Sequence, residues 1–305
     1  MNSVAGEFTG VGELTLSVDN RFLRKTIEKA LKDLPALPAV VTRVLQETEQ
    51  PNASAAQVER LICTDQALTM KVLRVVNSAY YGLSGQVTSL SQAVVILGMQ
   101  QIRNLVLSVG AVSTLQVRTA RQHETLKQFW LHSFGSAAAT QIIAKKKGLP
   151  GRDAETAFIG GLLHDIGRLF LFCNFTEIYD DLLLYAEQRG IPVEEAEVTF
   201  LGLSHSQVGE EMAKTWRLPS VLASIIGHHE GPFEEGDEPM ELAVHVGDFL
   251  TKHIYCPPDA MKLAKVDPVA MAWLGASTLE FDQLRQATEE KLAEASVLFG
   301  LLSAA

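Results

Sequence analysis

From Asn20 onward, apolar residues return every three or four positions, the spacing that lines one face of an α-helix. Leu23, Ile27, Ala30, Leu31 and Leu34 make the first such face. Leu34-Pro35-Ala36-Leu37-Pro38 then stops it, because proline lacks an amide proton and restricts the residue before it. A second helix is predicted from about Pro38 to Glu49, followed by a Pro51-Asn52 turn. Ser54 with Gln57 forms a capping box for the next short helix. Thr64-Asp65 opens another, through Leu68, Val72, Val75 and Val76, to Asn77-Ser78, where a capping role is expected. Ser89 with Gln92 makes a further capping box before Ala93 to Leu97, and Gly98 turns the chain into a helix through Ile102, Leu105, Val106 and Val109.

The helical pattern resumes from about Thr125 to Lys147, then from Ala154 to Phe172, and continues to His229. A polar loop from Gly231 to Pro239 precedes further helices that end with Leu279 to Leu302. No alternation of period two persists over five residues, and no tandem repeat is visible. The predicted fold class is all-α, a multi-helix bundle. The polar stretch Arg118 to Glu124 marks a boundary between an N-terminal helical subdomain (19–118) and a C-terminal one (119–255). Residues 1–18, rich in Gly, Ser and Thr, read as a flexible leader. Residues 256–305 read as an amphipathic helical tail that packs on the core or mediates dimer contacts.

Composition narrows the function classes. The chain has 305 residues, 47% hydrophobic and 20% charged, with a net charge of −10. Such an acidic balance lacks the Lys and Arg surplus that phosphate neutralisation requires, so nucleic acid is not an expected partner. Gln100-Gln101-Ile102-Arg103-Asn104 after Gly98 mimics helix-turn-helix spacing, but Arg103 is its only cation and a core helix pair is the better reading. Cys63, Cys173 and Cys256 are scattered and odd in number, which suits a reducing cytoplasm. The start of the chain carries Glu7 and Glu13 without a basic cluster, unlike a secretory signal. The apolar runs are too short and interrupted for a bilayer, so no membrane association is expected.

The chemistry concentrates in the second half. His132 lies on a predicted helix whose face also carries Gly135, Ser136, Ala139 and Thr140, small residues that let a neighbouring helix approach. His164-Asp165 follows the apolar Gly160-Gly161-Leu162-Leu163, where burying both groups is costly without partners. A metal is such a partner: imidazole offers a nitrogen, and the carboxylate offers two oxygens that can bridge two cations. His205, His228, His229 and Asp248 complete the set. Each has an ordinary alternative, as a hydrogen-bonded core residue, a helix cap, a helix terminus or a surface acid. Their joint order on helices favours a shared metal site.

That order, with Glu197 before His205 and Gly209 after it, resembles the HD superfamily of metal-dependent phosphohydrolases, and most of all its HD-GYP branch, which hydrolyses cyclic di-GMP. The chain departs from the branch in three places. Gly231-Pro232-Phe233-Glu234 stands where the GYP tripeptide is expected, Arg168 where a lysine is expected, and Gln128 where some members have an extra metal-binding glutamate. The first half is similar to the HDOD domain, through Leu34 to Pro38, Asp65 to Leu68, Leu73 to Ala79 and Ser89 to Gly98. Trp130-Leu131-His132-Ser133 and Trp216-Arg217-Leu218-Pro219 extend the likeness over about residues 25 to 250.

The resemblance implies an HD-like second subdomain and a cytoplasmic signalling output module rather than an established hydrolase. Its expected partners are signalling proteins, with a nucleotide as candidate ligand and a homodimer as candidate assembly. Its expected cofactor is a divalent metal, one or two ions, with iron or manganese ahead of zinc for a mixed His and carboxylate shell. The alternative is a metal-dependent phosphohydrolase acting on a nucleotide or cyclic dinucleotide. In that reading Asp165 bridges two cations, an activated water attacks phosphorus, and Arg168 stabilises the developing charge. Absence of GYP removes cyclic di-GMP as the expected substrate.

Overall fold

A computed structural model describes residues 20–77, 85–255 and 266–302. The leader, Ser78, Cys256 and the start of the tail lie outside them. In chain order the helices are α1 (Asn20–Lys32), α2 (Ala39–Thr48), α3 (Ala55–Ile62), α4 (Gln66–Val76), α5 (Leu90–Leu97), α6 (Met99–Ser113), α7 (Ala120–Lys146) and α8 (Gly151–Leu163). They continue with α9 (Ile166–Asn174), α10 (Thr176–Arg189), α11 (Val193–Leu201), α12 (His205–Thr215), α13 (Ser220–His228), α14 (Pro239–Tyr255), α15 (Pro268–Leu274) and α16 (Thr278–Leu302). No strand occurs among the described residues, so the fold is all-α as the periodicity predicts.

Local chemistry sets most helix starts. Ser54 and Gln57 form the reciprocal capping box at α3. At α5 the Ser89 hydroxyl caps the Gln92 amide, while the Gln92 side chain turns instead to the Thr88 amide. A further reciprocal box, Thr119 with Gln122, starts α7 at Ala120, ahead of the predicted Thr125. The polar stretch marked as a boundary is therefore mostly the first turn of a long helix. Ser204 with Gln207 does the same for α12.

The predicted helix from Ala154 to Phe172 is two helices. α8 ends at Leu163 and α9 begins at Ile166, with Asp165 at φ −94° and ψ 13°, outside helical geometry. The His164 imidazole takes the Gly161 carbonyl, one of those a helix end leaves free (2.8 Å). By length and composition, 151–174 is apolar enough to match a membrane span, yet 83% of that window is buried inside the protein.

One buried apolar cluster runs from Leu23 to Val244 and so joins both halves of the chain, while a second links α7 and α14 to α15 and α16. Trp216 donates its indole proton to the Pro35 carbonyl (2.9 Å), tying the Leu34 to Pro38 break to the C-terminal end of α12. The tail lies against α7, where Leu292 meets Gly135. The α5–α6 corner is a core helix pair: Ile102 and Leu105 to Val112 are buried, and Arg103 is ion-paired to Glu49.

Asn77 caps α4 and clamps the chain to residue 87. Its amide donates to the Leu73 and Val87 carbonyls (2.9 and 2.7 Å) and its oxygen accepts from the Val87 N–H (2.7 Å). Asn77→Ala removes three bonds at an exposed position and is expected to lower stability by about 1–2 kcal/mol. An unchanged urea midpoint would show that this clamp contributes nothing.

Candidate metal centre

Close helix approaches bring the candidate ligands together. An added Cβ at Gly247 of α14 would lie 2.4 Å from Thr140 Oγ1 of α7, and one at Gly161 of α8 would lie 2.9 Å from the Ala137 Cα. These contacts need glycine because backbones replace side chains there. They place His132 (α7), His164 and Asp165 (the α8–α9 turn) and Asp248 (α14) on one side of a shared pocket. His205, the first residue of α12, and His229, just after α13, close the other side.

The donors divide into two groups that meet at Asp165. In the first, His132 Nε2 lies 3.2 Å from His164 Nε2 and 2.9 Å from Asp248 Oδ1. Both nitrogens are 3.6 Å from Asp165 Oδ2, and His164 Nε2 is 3.5 Å from Asp248 Oδ1. In the second, His205 Nε2 and His229 Nε2 are 3.3 Å apart. They lie 3.3 and 3.8 Å from Asp165 Oδ1, and 3.7 and 3.9 Å from Glu230 Oε1. Donors about 2.1 Å from a common ion in a tetrahedral shell stand roughly 3.4 Å apart, so both groups have the scale of a metal shell.

Ring orientation supplies a stricter test. His164 Nδ1 faces the Gly161 carbonyl and His229 Nδ1 the Ile226 carbonyl (both 2.8 Å). A carbonyl only accepts, so each Nδ1 carries the proton. His205 Nδ1 donates to the Glu197 carboxylate (2.6 Å), which Tyr179 also holds. In neutral rings, then, the His205 and His229 Nε2 atoms turn lone pairs toward each other across 3.3 Å, an arrangement that asks for a cation. Asp165 Oδ1 and Asp248 Oδ1 are buried and receive no hydrogen bond of acceptable geometry. A divalent cation in each group would satisfy that group's oxygen, and the donor sets fit one apiece.

Two side-chain cations already touch the carboxylates. Arg168 Nη1 is 2.9 Å from Asp165 Oδ2, and Lys252 Nζ is 2.6 Å from Asp248 Oδ2 and 3.2 Å from Glu230 Oε1. Burial alone would raise the Asp165 carboxyl, but Arg168 and the surrounding histidines hold it well below the usual range. Burial is likewise outweighed at Asp248, where Lys252 and the His132 and His164 rings keep the carboxyl low. Burial opposes charge on Lys252, yet Asp248 and Glu230 keep its ammonium protonated. His164, His205 and His229 form a fully buried floor, while His132, Arg168, Glu230 and Lys252, each about a fifth to a quarter exposed, form the mouth.

His228 is not brought to the pocket. Its Nδ1 faces Glu241 (2.7 Å) and its Nε2 the Pro232 carbonyl (2.9 Å). Burial opposes its charge, but these two acceptors outweigh it and raise its pKa, and both ring nitrogens face partners outside the donor groups. Glu230 and Lys252 join the pocket in addition to the predicted residues. Glu230 follows the two histidines directly, and the spacing of Lys252, one helical turn past Asp248, was the available signal.

The family profile of the HDOD domain matches residues 34–232. That span holds His132, His164, Asp165, His205, His229 and Glu230, while Asp248 and Lys252 lie beyond it. An uncharacterized protein of Treponema pallidum (strain Nichols) is 28% identical over 211 residues, which is 69% of this chain and 40% of that protein. The chain thus spans less than half the length of that relative. A candidate signal transduction protein from Marinobacter aquaeolei VT8 has a similar structure, with a TM-score of 0.70 and 19% identity over 94% of this chain and 68% of that one. A candidate phosphohydrolase from Shewanella amazonensis SB2B gives 0.65 and 23% over 90% and 96%. At these identities the likeness is one of fold.

Proposed function

Since this chain belongs to the HDOD domain family, we propose that it is a cytoplasmic signalling output module whose second half is organised by a divalent metal centre. The observation that carries the metal is the pair of imidazole couples facing each other on either side of Asp165. His132, His164, Asp165 and Asp248 would hold one cation, and Asp165, His205 and His229 a second. Iron or manganese suits this mixture of nitrogen and oxygen donors better than zinc. The free thiols of Cys63 and Cys173 agree with a reducing compartment. As an output module the chain would act on protein partners, with a nucleotide as its small ligand.

The mouth of the pocket favours a second reading, hydrolysis of a nucleotide phosphoester. Arg168 and Lys252 stand partly exposed above the buried donors, where an anionic group would meet them. A bound divalent cation supplies Lewis acidity and lowers the pKa of water. Arg168 would orient a phosphoryl oxygen and balance charge that develops on it.

The test is elemental analysis of the full chain purified without added metal or histidine tag, beside a phosphodiester turnover assay with manganese. One or two equivalents of iron or manganese with no turnover is the expected result. An absence of metal that resists reconstitution would overturn the centre, and metal-dependent turnover would replace the module with the hydrolase.

A further inference from the structure

The second donor group has an unusual member. Among the described residues, Glu230 places Oε1 within 4 Å of both buried Nε2 atoms of that group, which Asp165 Oδ1, buried without a hydrogen bond, also faces. His228, the neighbour that the sequence order offers as a ligand, is turned away to Glu241. The oxygen of Glu230 that faces the histidines is also the one bound by Lys252 (3.2 Å). Lys252 contacts Asp248 of the first group at the same time (2.6 Å). One ammonium therefore bridges acids that belong to different halves of the centre.

We propose that Glu230 is the fourth donor of the His205–His229 half-site, and that Lys252 is a built-in counter-ion that weakens this half for a second divalent cation. The inference rests on the metal reading given above. The first half-site is the tighter set about its imidazole nitrogens, with N···N and N···O separations of 2.9–3.6 Å against 3.3–3.9 Å in the second. Its Asp248 Oδ1 is untouched by Lys252, which binds the other oxygen. Each half carries one side-chain cation on a donor oxygen, Arg168 on Asp165 Oδ2 in the first (2.9 Å) and Lys252 on Glu230 Oε1 in the second (3.2 Å). Cation–cation repulsion over such a short, partly buried distance is poorly screened, so a second ion binds against it. The halves fill in order, the His132–His164 half first.

Manganese(II) added to the metal-stripped full chain, followed by calorimetry and elemental analysis, tests this. The wild type is expected to bind one ion tightly and a second at least about 10-fold more weakly, as a repulsion of about 1.4 kcal/mol implies. Glu230→Gln, which keeps the side-chain volume, should lose the weak ion and retain the tight one. Lys252→Met should tighten the second ion by about 10-fold or more. Far-UV circular dichroism and urea midpoints certify folding, and if Lys252→Met does not fold, Glu230→Gln still decides the donor. Both ions binding unchanged in Glu230→Gln, or weaker second-ion binding in folded Lys252→Met, overturns the proposal alone. No manganese binding by the wild type overturns the metal centre beneath it.

Discussion

Asp165→Ala is expected to empty both halves of the centre together, whereas His132→Ala and His229→Ala each empty one. The reason is positional. Asp165 Oδ2 faces the His132–His164 pair and Oδ1 faces the His205–His229 pair, so one carboxylate belongs to both donor groups. Outer-shell substitutions at metal sites already cost about 10–100-fold in affinity, and loss of a bridging donor should exceed that for each ion. Binding to the folded state also stabilises it, by about 2.7 kcal/mol at a ligand concentration 100 times Kd. The metal-induced rise in Tm should therefore vanish in Asp165→Ala. Part of any lowered Tm will come from Arg168, which loses the carboxylate 2.9 Å away, so the comparison belongs between chelated and manganese-loaded forms of each variant. A folded Asp165→Ala that keeps one tight ion would show that the two groups are independent and that Asp165 does not bridge them.

Much of this centre was legible because histidine and aspartate are conspicuous on apolar helices. His132, His164-Asp165, His205, His229 and Asp248 all converge, from five separate places in the chain. The choice between His228 and His229 was not legible. Adjacent residues at a helix end point about 100° apart, and which one faces inward depends on how α13 is rotated against α14. That rotation is fixed by packing, and Glu241 of α14 then claims the outward ring. Glu230 was hidden for a related reason: an acid beside a polar loop reads as solvated until the fold lowers it into the pocket. The division between α8 and α9 was equally invisible, because neither Gly nor Pro marks it and the residues on both sides are apolar. All-α character came through clearly, since it depends on a periodicity sustained over the whole chain.

The second large effect is expected at Gly167, a residue with no donor atom in its side chain. α9 and α12 cross there with their backbones in contact. A Cβ on Gly167 would stand 2.1 Å from the His205 carbonyl oxygen and 2.5 Å from the Gly209 nitrogen. Both are main-chain atoms, which cannot rotate away as a side chain can, so the helices must part by roughly 1 Å to reach ordinary contact. Overpacking usually costs about 1–3 kcal/mol, and Gly167→Ala should reach or pass the top of that range. The same movement carries His205 away from Asp165, two residues before Gly167, and opens the 3.3 Å separation on which the second half-site depends. Gly151→Ala in α8 is the control. Its Cβ would meet nothing within 4 Å, and alanine is the better helix former. Urea midpoints and manganese affinities of the two variants should diverge: Gly167→Ala loses stability and the weak ion together, while Gly151→Ala keeps both. Equal behaviour of the pair would mean that the α9–α12 crossing does not set the spacing of the metal centre.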